Sequence, residues 1–251
     1  MGSEIEKKAA IMLLIILFFS LPFQARIVKA ATQISIVPSA DSYVDDLDPN
    51  ANHGSSIFLY THNYTESVGE AGARVGDAQN MIGPIGDTWL KFDLSQVPSQ
   101  ATVNSIILRM HTSVWGTRTV NIVGVFVCDD NSWTESGITW NNAPSPSSTI
   151  PLQTVECGDP DIDREFNLTT ALSGKTEVTL VLKTVQLAKE PAVFDSRDLS
   201  NGPSLVVDYT MPVDTGLLVV FVIGAIIVIV VLSTLVVRLK QRKKQEMHSQ
   251  S

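Results

Sequence analysis

The sequence contains little of what catalytic sites and metal sites are usually built from. Its 251 residues include only two cysteines, four histidines and 7% aromatic residues. No G-x-S-x-G elbow, H-E-x-x-H pair or glycine-rich phosphate loop occurs. The two cysteines lie about 30 residues apart, which is not the spacing of a zinc site. These absences predict a protein that is not an enzyme.

Positive charge is scarce in the middle of the chain. Residues 32–214 contain nine basic and 23 acidic residues, a formal charge of −14, whereas the whole chain carries −8. A field of this sign repels polyanions, and no basic stripe is present to neutralise phosphates. Nucleic-acid binding is therefore excluded.

Helical periodicity is missing between Ala31 and Met211. Short runs of β-forming residues recur there instead, several of them alternating with period two, so that Leu90, Phe92 and Leu94 share one face. Turn-forming residues separate the runs, which predicts an all-β, jelly-roll-like antiparallel β-sandwich. The nine predicted strands are Ile34–Val37, Ile57–Tyr60, Thr88–Asp93, Val103–Met110, Val120–Val127, Glu165–Leu168, Val178–Lys183, Ala192–Phe194 and Leu205–Tyr209.

One stretch interrupts this rhythm. Residues 61–87 are rich in glycine and contain few large apolar side chains. The composition predicts a long exposed loop, and loops of this length are often functional or mobile.

Long apolar runs occur at the two ends of the chain. Residues 216–237 form 22 residues without a charge, about 33 Å as a helix, which is enough to cross a hydrocarbon core. Five basic residues follow within RLKQRKK and indicate the cytoplasmic side. The first 31 residues combine Lys7 and Lys8, an apolar stretch and small residues near Ala30, as in a signal peptide. An uncleaved signal anchor is the alternative, and it also exports the middle of the chain.

The domain organisation follows from these runs. We expect a signal peptide over 1–31, a β-sandwich over 32–210, a linker over 211–215, a transmembrane helix over 216–237 and a basic tail over 238–251. This order predicts a single-pass protein of the cell membrane that contacts lipid through residues 216–237. The sandwich would lie outside and the C-terminus in the cytoplasm.

Export bears on two kinds of covalent modification. Cys128 and Cys157 could form a disulfide, because an exported domain meets oxidising conditions, and free thiols are the alternative. Asn63 and Asn167 begin N-x-T sequences, which are acceptors for N-glycosylation.

The most specific segment is DDNSWTESGITWNNAP, residues 129–144. It resembles the W-T-E-S-x-x-T-W-N-x-x-P loop of DNRLRE-type domains, a group of β-sandwiches that includes carbohydrate-binding modules. The resemblance extends to ordered blocks at residues 40–54, 89–98 and 194–207 and covers roughly residues 33–210. The matching loop residues are Trp133, Thr134, Glu135, Ser136, Thr139, Trp140, Asn141 and Pro144.

The resemblance implies a non-catalytic β-sandwich and does not name a ligand. Together with the expected membrane anchor it predicts a cell-surface carbohydrate-binding or adhesion module, with a polysaccharide as a possible partner. A structural or accessory envelope protein that binds protein partners is the alternative, followed by a polysaccharide hydrolase or lyase. Trp133 and Trp140 either pin the loop to the core or stack on sugar rings, and we favour the first. Glu135 is interpreted as a cap for backbone N–H groups of the loop rather than as an acid.

Two further sets of residues are candidate sites. The first is an acidic cluster that supplies oxygen ligands of the kind Ca²⁺ takes, although without EF-hand spacing; it consists of Asp41, Asp45, Asp46, Asp48 and Asn50. A solvated acidic loop is the alternative interpretation. The second set could contact sugars by aromatic stacking or through a guanidinium group; it consists of Tyr60, His62, Tyr64, Trp115 and Arg118.

Overall fold

The computed structural model describes residues 31–63, 85–116, 118–188, 190–212 and 215–249. Within these ranges it contains eleven β-strands and two α-helices. The strands are β1 (Ala31–Ile36), β2 (Ala40–Asp45), β3 (Phe58–Asn63), β4 (Ile85–Asp93), β5 (Thr102–Thr112), β6 (Asn121–Cys128), β7 (Gln153–Cys157), β8 (Ile162–Asn167), β9 (Glu177–Thr184), β10 (Ala192–Asp195) and β11 (Ser204–Thr210). The helices are α1 (Thr169–Leu172) and α2 (Thr215–Ser249).

The strands pair antiparallel and form two layers. In the first layer the order is β1-β11-β5, and β5 also pairs with β8 and, at one residue, with β10, which in turn pairs with β3. In the second layer the order is β2-β4-β9-β6-β7. A short pairing of His62 and Asn63 in β3 with Gly86 and Ile85 in β4 joins the two layers.

Alternate residues of both layers meet in one apolar core. Leu108 of β5 and Leu205 of β11 pack in the same cluster as Leu90 of β4 and Leu180 of β9, and all four are fully buried. The predicted face of Leu90, Phe92 and Leu94 is therefore a core face. The predicted all-β fold, an antiparallel β-sandwich, is confirmed.

The second layer is also buried on its other face. Trp89 of β4, Val181 of β9 and Phe126 of β6 form a separate cluster with Trp133 and Ile138 of the following loop. In β9 all of Val178–Leu182 is buried, so residues on both faces of this strand are covered. A sheet is buried on both faces when a loop packs across the face that points away from the core.

Each of the nine predicted strands overlaps an observed one. Those nine runs leave out β2 and β7, although the family resemblance places residues 40–45, the range of β2, in an opening strand. β2 reads ADSYVD and β7 reads QTVEC, and neither has the apolar alternation that the prediction used. The predicted loop over 61–87 was too long at both ends, because Thr61–Asn63 belong to β3 and Ile85–Asp87 to β4. Its remaining residues, 64–84, lie outside the described residues.

The expected disulfide is absent from the structure, where Cys128 and Cys157 are free, buried thiols. Cys157 pairs with Asn121 at the start of β6, whereas Cys128 ends that strand. Seven residues of extended strand separate the two positions by about 23 Å, well beyond the reach of a disulfide. Burial raises the pKa of Cys157 to about 12 and also raises the pKa of Cys128 above its usual value.

Helix α2 forms a unit separate from the sandwich unit Ala30–Pro212. It is long and apolar enough to span a membrane. The hydroxyls of Ser233 and Thr234 donate to the carbonyls of Val230 and Val231, both at 2.8 Å. The two mild polar residues of the apolar run are thus satisfied within the helix, as an apolar solvent requires.

The packing predicts the cost of a truncation in the centre of the core. Leu180 is 0% exposed on β9, which has strand neighbours on both sides, so Leu180→Ala should lower the free energy of unfolding by about 2–5 kcal/mol. Leu187→Ala, at a 57% exposed leucine, is the control and should change it by less than about 0.5 kcal/mol. Urea unfolding of the full chain in detergent, followed by tryptophan fluorescence, reports on the sandwich, because all four tryptophans lie there. Equal losses in the two variants would contradict the described core.

Candidate functional site

The loop over residues 129–144, hereafter the motif loop, lies on the outer face of the second layer. Trp133 is only 7% exposed and makes an edge contact with Trp89 at a centroid distance of 6.1 Å. Its indole Nε1 donates a 3.0 Å hydrogen bond to Thr179 Oγ1 of β9. Trp140 packs more loosely against the same cluster. Both tryptophans therefore hold the loop on the sheet.

A lysine from β4 fastens the start of the motif loop. Lys91 Nζ donates to the carbonyl of Asn131 at 2.7 Å and to the carbonyl of Trp133. The same ammonium lies 4.8 Å from the centroid of the Trp133 ring, within the range of a cation–π contact. Lys91 thereby satisfies two carbonyls that the loop could not satisfy within itself.

Glu135 connects the motif loop to two other parts of the chain. Its carboxylate accepts a hydrogen bond from the backbone N–H of Asp41 at 3.2 Å and pairs with Arg197 Nη2 at 2.9 Å. The Arg197 backbone N–H in turn donates to Asp41 Oδ2 at 2.8 Å, and its Nη1 donates to the carbonyl of Ser39. Glu135 thus accepts from backbone, as expected, but from β2 rather than from its own loop.

The segment after β2 closes around the other side of the loop. Asn52 Nδ2 donates to the carbonyls of Glu135 and Ile138 at 2.7 and 2.8 Å, and Asn141 Nδ2 donates to Asn50 Oδ1 at 2.9 Å. Gly54 approaches so closely that a Cβ there would lie 2.2 Å from the carbonyl oxygen of Glu135. Only glycine fits at this position without moving the backbone.

These segments enclose an open groove with a volume of about 670 Å³. Three of its charged groups, those of Lys91, Glu135 and Arg197, are bonded to one another or to backbone as described above. Its lining residues are Ser39, Ala40, Asn52, Gly54, Ser55, Lys91, Trp133, Thr134, Glu135, Ser136, Arg197 and Asp198.

The acidic cluster is spread over several separate interactions. Asp41 faces Arg197, Asp45 accepts from the N–H groups of Leu47 and Asp48, and Asp46 accepts from the N–H of Ile85. Over the described ranges, no three histidine, cysteine or acidic side chains are gathered as they would be to hold a metal ion. Among the described residues there is thus no gathered set of ligands for the predicted calcium ion. The carboxylate oxygens of the acidic cluster instead accept hydrogen bonds from the chain itself.

The structure separates the five predicted sugar-contact residues. Tyr60 and His62 are buried, Tyr60 packing edge-on against Tyr43 at 4.9 Å, so they are not available to a ligand. Tyr64 lies outside the described residues. Trp115 is 64% exposed, and Arg118, three residues further on, is also exposed.

The backbone around Trp115 is held by neighbouring strands. The N–H of Ser113 donates to the carbonyl of Val193 at 2.9 Å, and Thr112 Oγ1 donates to the carbonyl of Asp159 at 2.7 Å. The N–H of Asp161 donates to the carbonyl of Thr112 at 2.8 Å. Residues 113–116 and 118 and the turn over 158–162 therefore form one corner of the sandwich, hereafter the Trp115 corner.

Carboxylates surround a histidine next to this corner. His111 Nδ1 lies 2.9 Å from Asp163 Oδ1, and Nε2 lies 3.3 Å from Asp161 Oδ1. Burial lowers the pKa of His111, but the hydrogen bonds to Asp163 and Asp161 outweigh it and raise the pKa above its ordinary value. Arg109 pairs with Glu165 at 2.9 Å on the same face. The corner is rich in hydrogen-bond acceptors.

The two glycosylation candidates differ in their surroundings. Asn63 ends β3, is partly buried, and its carbonyl accepts from the N–H of Ala188. Asn167 is exposed at the end of β8, where its Oδ1 accepts from the hydroxyl of Thr169 at 2.7 Å. Both remain predictions, with Asn167 the more accessible.

Sequence reasoning missed the roles of Lys91, Arg197 and Asn52, which hold the motif loop. Lys91 offered a weak signal, since it alternates with Leu90 and Phe92 and therefore lies on the same side of its strand as Trp89. Arg197 and Asn52 lie within blocks of the family resemblance, but their contacts span 62 residues to Glu135 and 86 residues to Ile138. Separations of this size are visible only in the folded chain.

The described residues thus form a two-layer sandwich with a pinned motif loop and an exposed tryptophan at one corner. Residues 32–209 match carbohydrate-binding module family 96. Because the match covers more than half of the chain, the chain belongs to that family. The match supports the carbohydrate-binding-module part of the predicted resemblance, whereas the DNRLRE assignment stays a prediction.

A curated relative shares part of this sequence. The chain is 29% identical over 167 residues to a protein named gellan lyase from Bacillus sp. The alignment covers 62% of this chain and 7% of that protein. Since the chain spans so little of its relative, the lyase activity is not carried over.

The buried carboxyl of Asp41 predicts a pH dependence of stability. Burial raises the pKa of Asp41, which is 2% exposed, from 3.8 to about 6. The folded state therefore binds a proton more tightly than the unfolded state, and the stabilisation by protonation is lost as the pH rises from about 4 to 6. Asp41→Asn should remove this dependence of the free energy of unfolding on pH. At pH 7 the variant should be more stable than the wild type by up to about 3 kcal/mol, since one unit of pKa is worth about 1.4 kcal/mol.

Unfolding curves between pH 3.5 and 7.5 test this expectation. Asp129→Asn is the control. Hydrogen bonding to Ser147 lowers the pKa of that exposed carboxyl, so this substitution should leave the change of stability between pH 4 and 6 as it is in the wild type. Parallel pH profiles for the wild type and Asp41→Asn would show that Asp41 is not the titrating group.

Proposed function

We propose that this protein is a membrane-anchored, cell-surface carbohydrate-binding module without catalytic activity. The observation that carries the proposal is the family match over residues 32–209, which spans the sandwich almost completely. Helix α2, long and apolar enough to cross a membrane, supports the anchoring. The charged and apolar segments at the N-terminus support export.

The Trp115 corner is the glycan contact in this proposal. Trp89 and Trp133 are buried and Trp140 packs against the same cluster, whereas Trp115 is 64% exposed. An exposed indole ring leaves a flat apolar surface in contact with water, which is unfavourable. A pyranose ring could cover that surface by stacking on it, because the face of the sugar ring is also flat and apolar. Arg118, exposed and three residues further along the chain, offers hydrogen-bond donors in this proposal.

The charge around the corner favours neutral sugars. Asp159, Asp161 and Asp163 lie beside Arg164 and His111. Their carboxylates are able to accept hydrogen bonds from sugar hydroxyl groups, whereas they repel the carboxylates of uronic acids. The formal charge of −14 over residues 32–214 acts in the same direction. We therefore expect neutral polysaccharides to bind more tightly than acidic ones.

Substitution of Trp115 tests the contact. Trp115→Ala should weaken binding to a neutral polysaccharide about tenfold, since loss of one aromatic stacking contact costs roughly 1–1.5 kcal/mol. Affinity electrophoresis of the detergent-solubilised full chain through xylan, galactomannan, hydroxyethyl cellulose, gellan and polygalacturonate measures it. Trp115→Phe keeps an aromatic face and should retain most of the affinity.

Ile150→Ala removes a different, 73% exposed apolar side chain and is the second control. Equal retardation of the wild type and Trp115→Ala would remove the corner from the proposal. Failure of every polysaccharide to retard the wild type would favour the alternative, an envelope protein that binds protein partners.

Membrane anchoring has a test of its own. The full chain should stay in the membrane fraction after alkaline carbonate, and a chain ending at Pro212 should be released. Protease added to intact cells should digest the sandwich and spare a tag placed after Ser251, because the basic residues after Val237 keep the tail inside. Digestion of the tag with an intact sandwich would contradict the orientation.

A further inference from the structure

Helix α2 continues well beyond its apolar part. It ends at Ser249, twelve residues after Val237, the last residue of the uncharged run. The first seven of these twelve residues contain five cations, Arg238, Lys240, Arg242, Lys243 and Lys244. These five residues, hereafter the cationic collar, are therefore carried on helix rather than on a loose tail.

The length of the helix fixes the depth of the collar in a bilayer. Residues 216–237 rise about 33 Å, slightly more than a hydrocarbon core of about 30 Å. The step from Arg238 to Lys244 adds only about 9 Å. That distance corresponds to the polar headgroup layer, so all five helix positions of the collar fall at the level of lipid phosphates.

The cations also encircle the helix. At 100° per residue, Arg238 and Arg242 fall within about 40° of each other, while Lys240 and Lys244 fall on the opposite side and Lys243 between the two groups. A helix that lies flat on a membrane would instead confine its cations to one face opposite an apolar stripe. A ring of cations suits a helix that passes through the headgroup layer and is surrounded by lipid.

We propose that the cationic collar binds the headgroups of anionic phospholipids in the leaflet where helix α2 emerges. The inference rests on the membrane anchoring proposed above. Positive flanks orient any membrane helix, but five cations in just under two turns, with Glu246 as the single acidic residue beside them, also form a basic cluster of the size that recognises anionic lipid headgroups. Each cation at this depth strengthens association with an anionic surface, roughly fivefold at low salt.

The preference of the collar for one lipid over another can be measured directly. The full chain is reconstituted in phosphatidylcholine bilayers with a trace of spin-labelled phosphatidylglycerol or spin-labelled phosphatidylcholine. Electron paramagnetic resonance then gives the fraction of each lipid immobilised at the protein. We expect phosphatidylglycerol to be favoured about fivefold or more, and this preference to fall sharply in 1 M NaCl, where the Debye length is about 3 Å.

A charge-neutral variant and a matched control complete the test. Lys240→Gln, Lys243→Gln and Lys244→Gln together should reduce the preference to less than half of its wild-type value. Gln241→Ala and Gln245→Ala change the same helical segment without changing its charge and should leave the preference unaltered. Equal immobilisation of the two lipids by the wild type, or an unchanged preference in the triple variant, would overturn the inference.

The outcomes separate this inference from the proposed function. Release of the full chain by alkaline carbonate would refute the anchoring itself, and the collar would fall with it. A chain that stays in the bilayer without preferring phosphatidylglycerol would refute only the collar. Binding of polysaccharide by the sandwich is independent of both results.

Discussion

Burial of β4 and β9 on both faces is the constraint on which the rest of the sandwich depends. One face contributes Leu90 and Leu180 to the inter-layer core, and the other contributes Trp89 and Val181 to the cluster beneath the motif loop. A strand pair with two apolar faces is stable only when both are covered. The motif loop is therefore a third layer of the structure, and its conformation is set by the sheet below it.

A loop that covers a sheet has backbone polar groups that need hydrogen-bond partners. Charged side chains provide those partners here. Lys91 satisfies two loop carbonyls, and Glu135, Arg197 and Asp41 bond to one another and to three backbone groups. These charges are used to hold the loop, so the groove beside it contains few uncommitted groups. The exposed aromatic surface lies elsewhere, at the Trp115 corner. Under the proposed function, different residues of the module hold the architecture and contact the ligand.

The sequence predicted the elements of the fold better than the candidate site. All nine predicted strands exist because alternation of apolar residues is a local pattern, whereas β2 and β7 lack it and are strands only through pairing with β4 and β6. Of the predicted sugar contacts, Tyr60 and His62 failed because aromatic character does not reveal burial. The expected disulfide failed because two cysteines on neighbouring strands can still lie at opposite ends of them.

The sequence by itself determined the all-β character of the middle of the chain, the acidic field around it and the apolar length of the C-terminal helix. Each of these depends on composition or on a spacing of a few residues. Only the tertiary structure decided that the motif loop covers the second layer, that Arg197 meets Glu135, and that Trp115 stays exposed while Trp133 does not. Those outcomes depend on contacts between residues far apart in the chain, and a linear pattern does not encode which distant partner will cover a given side chain.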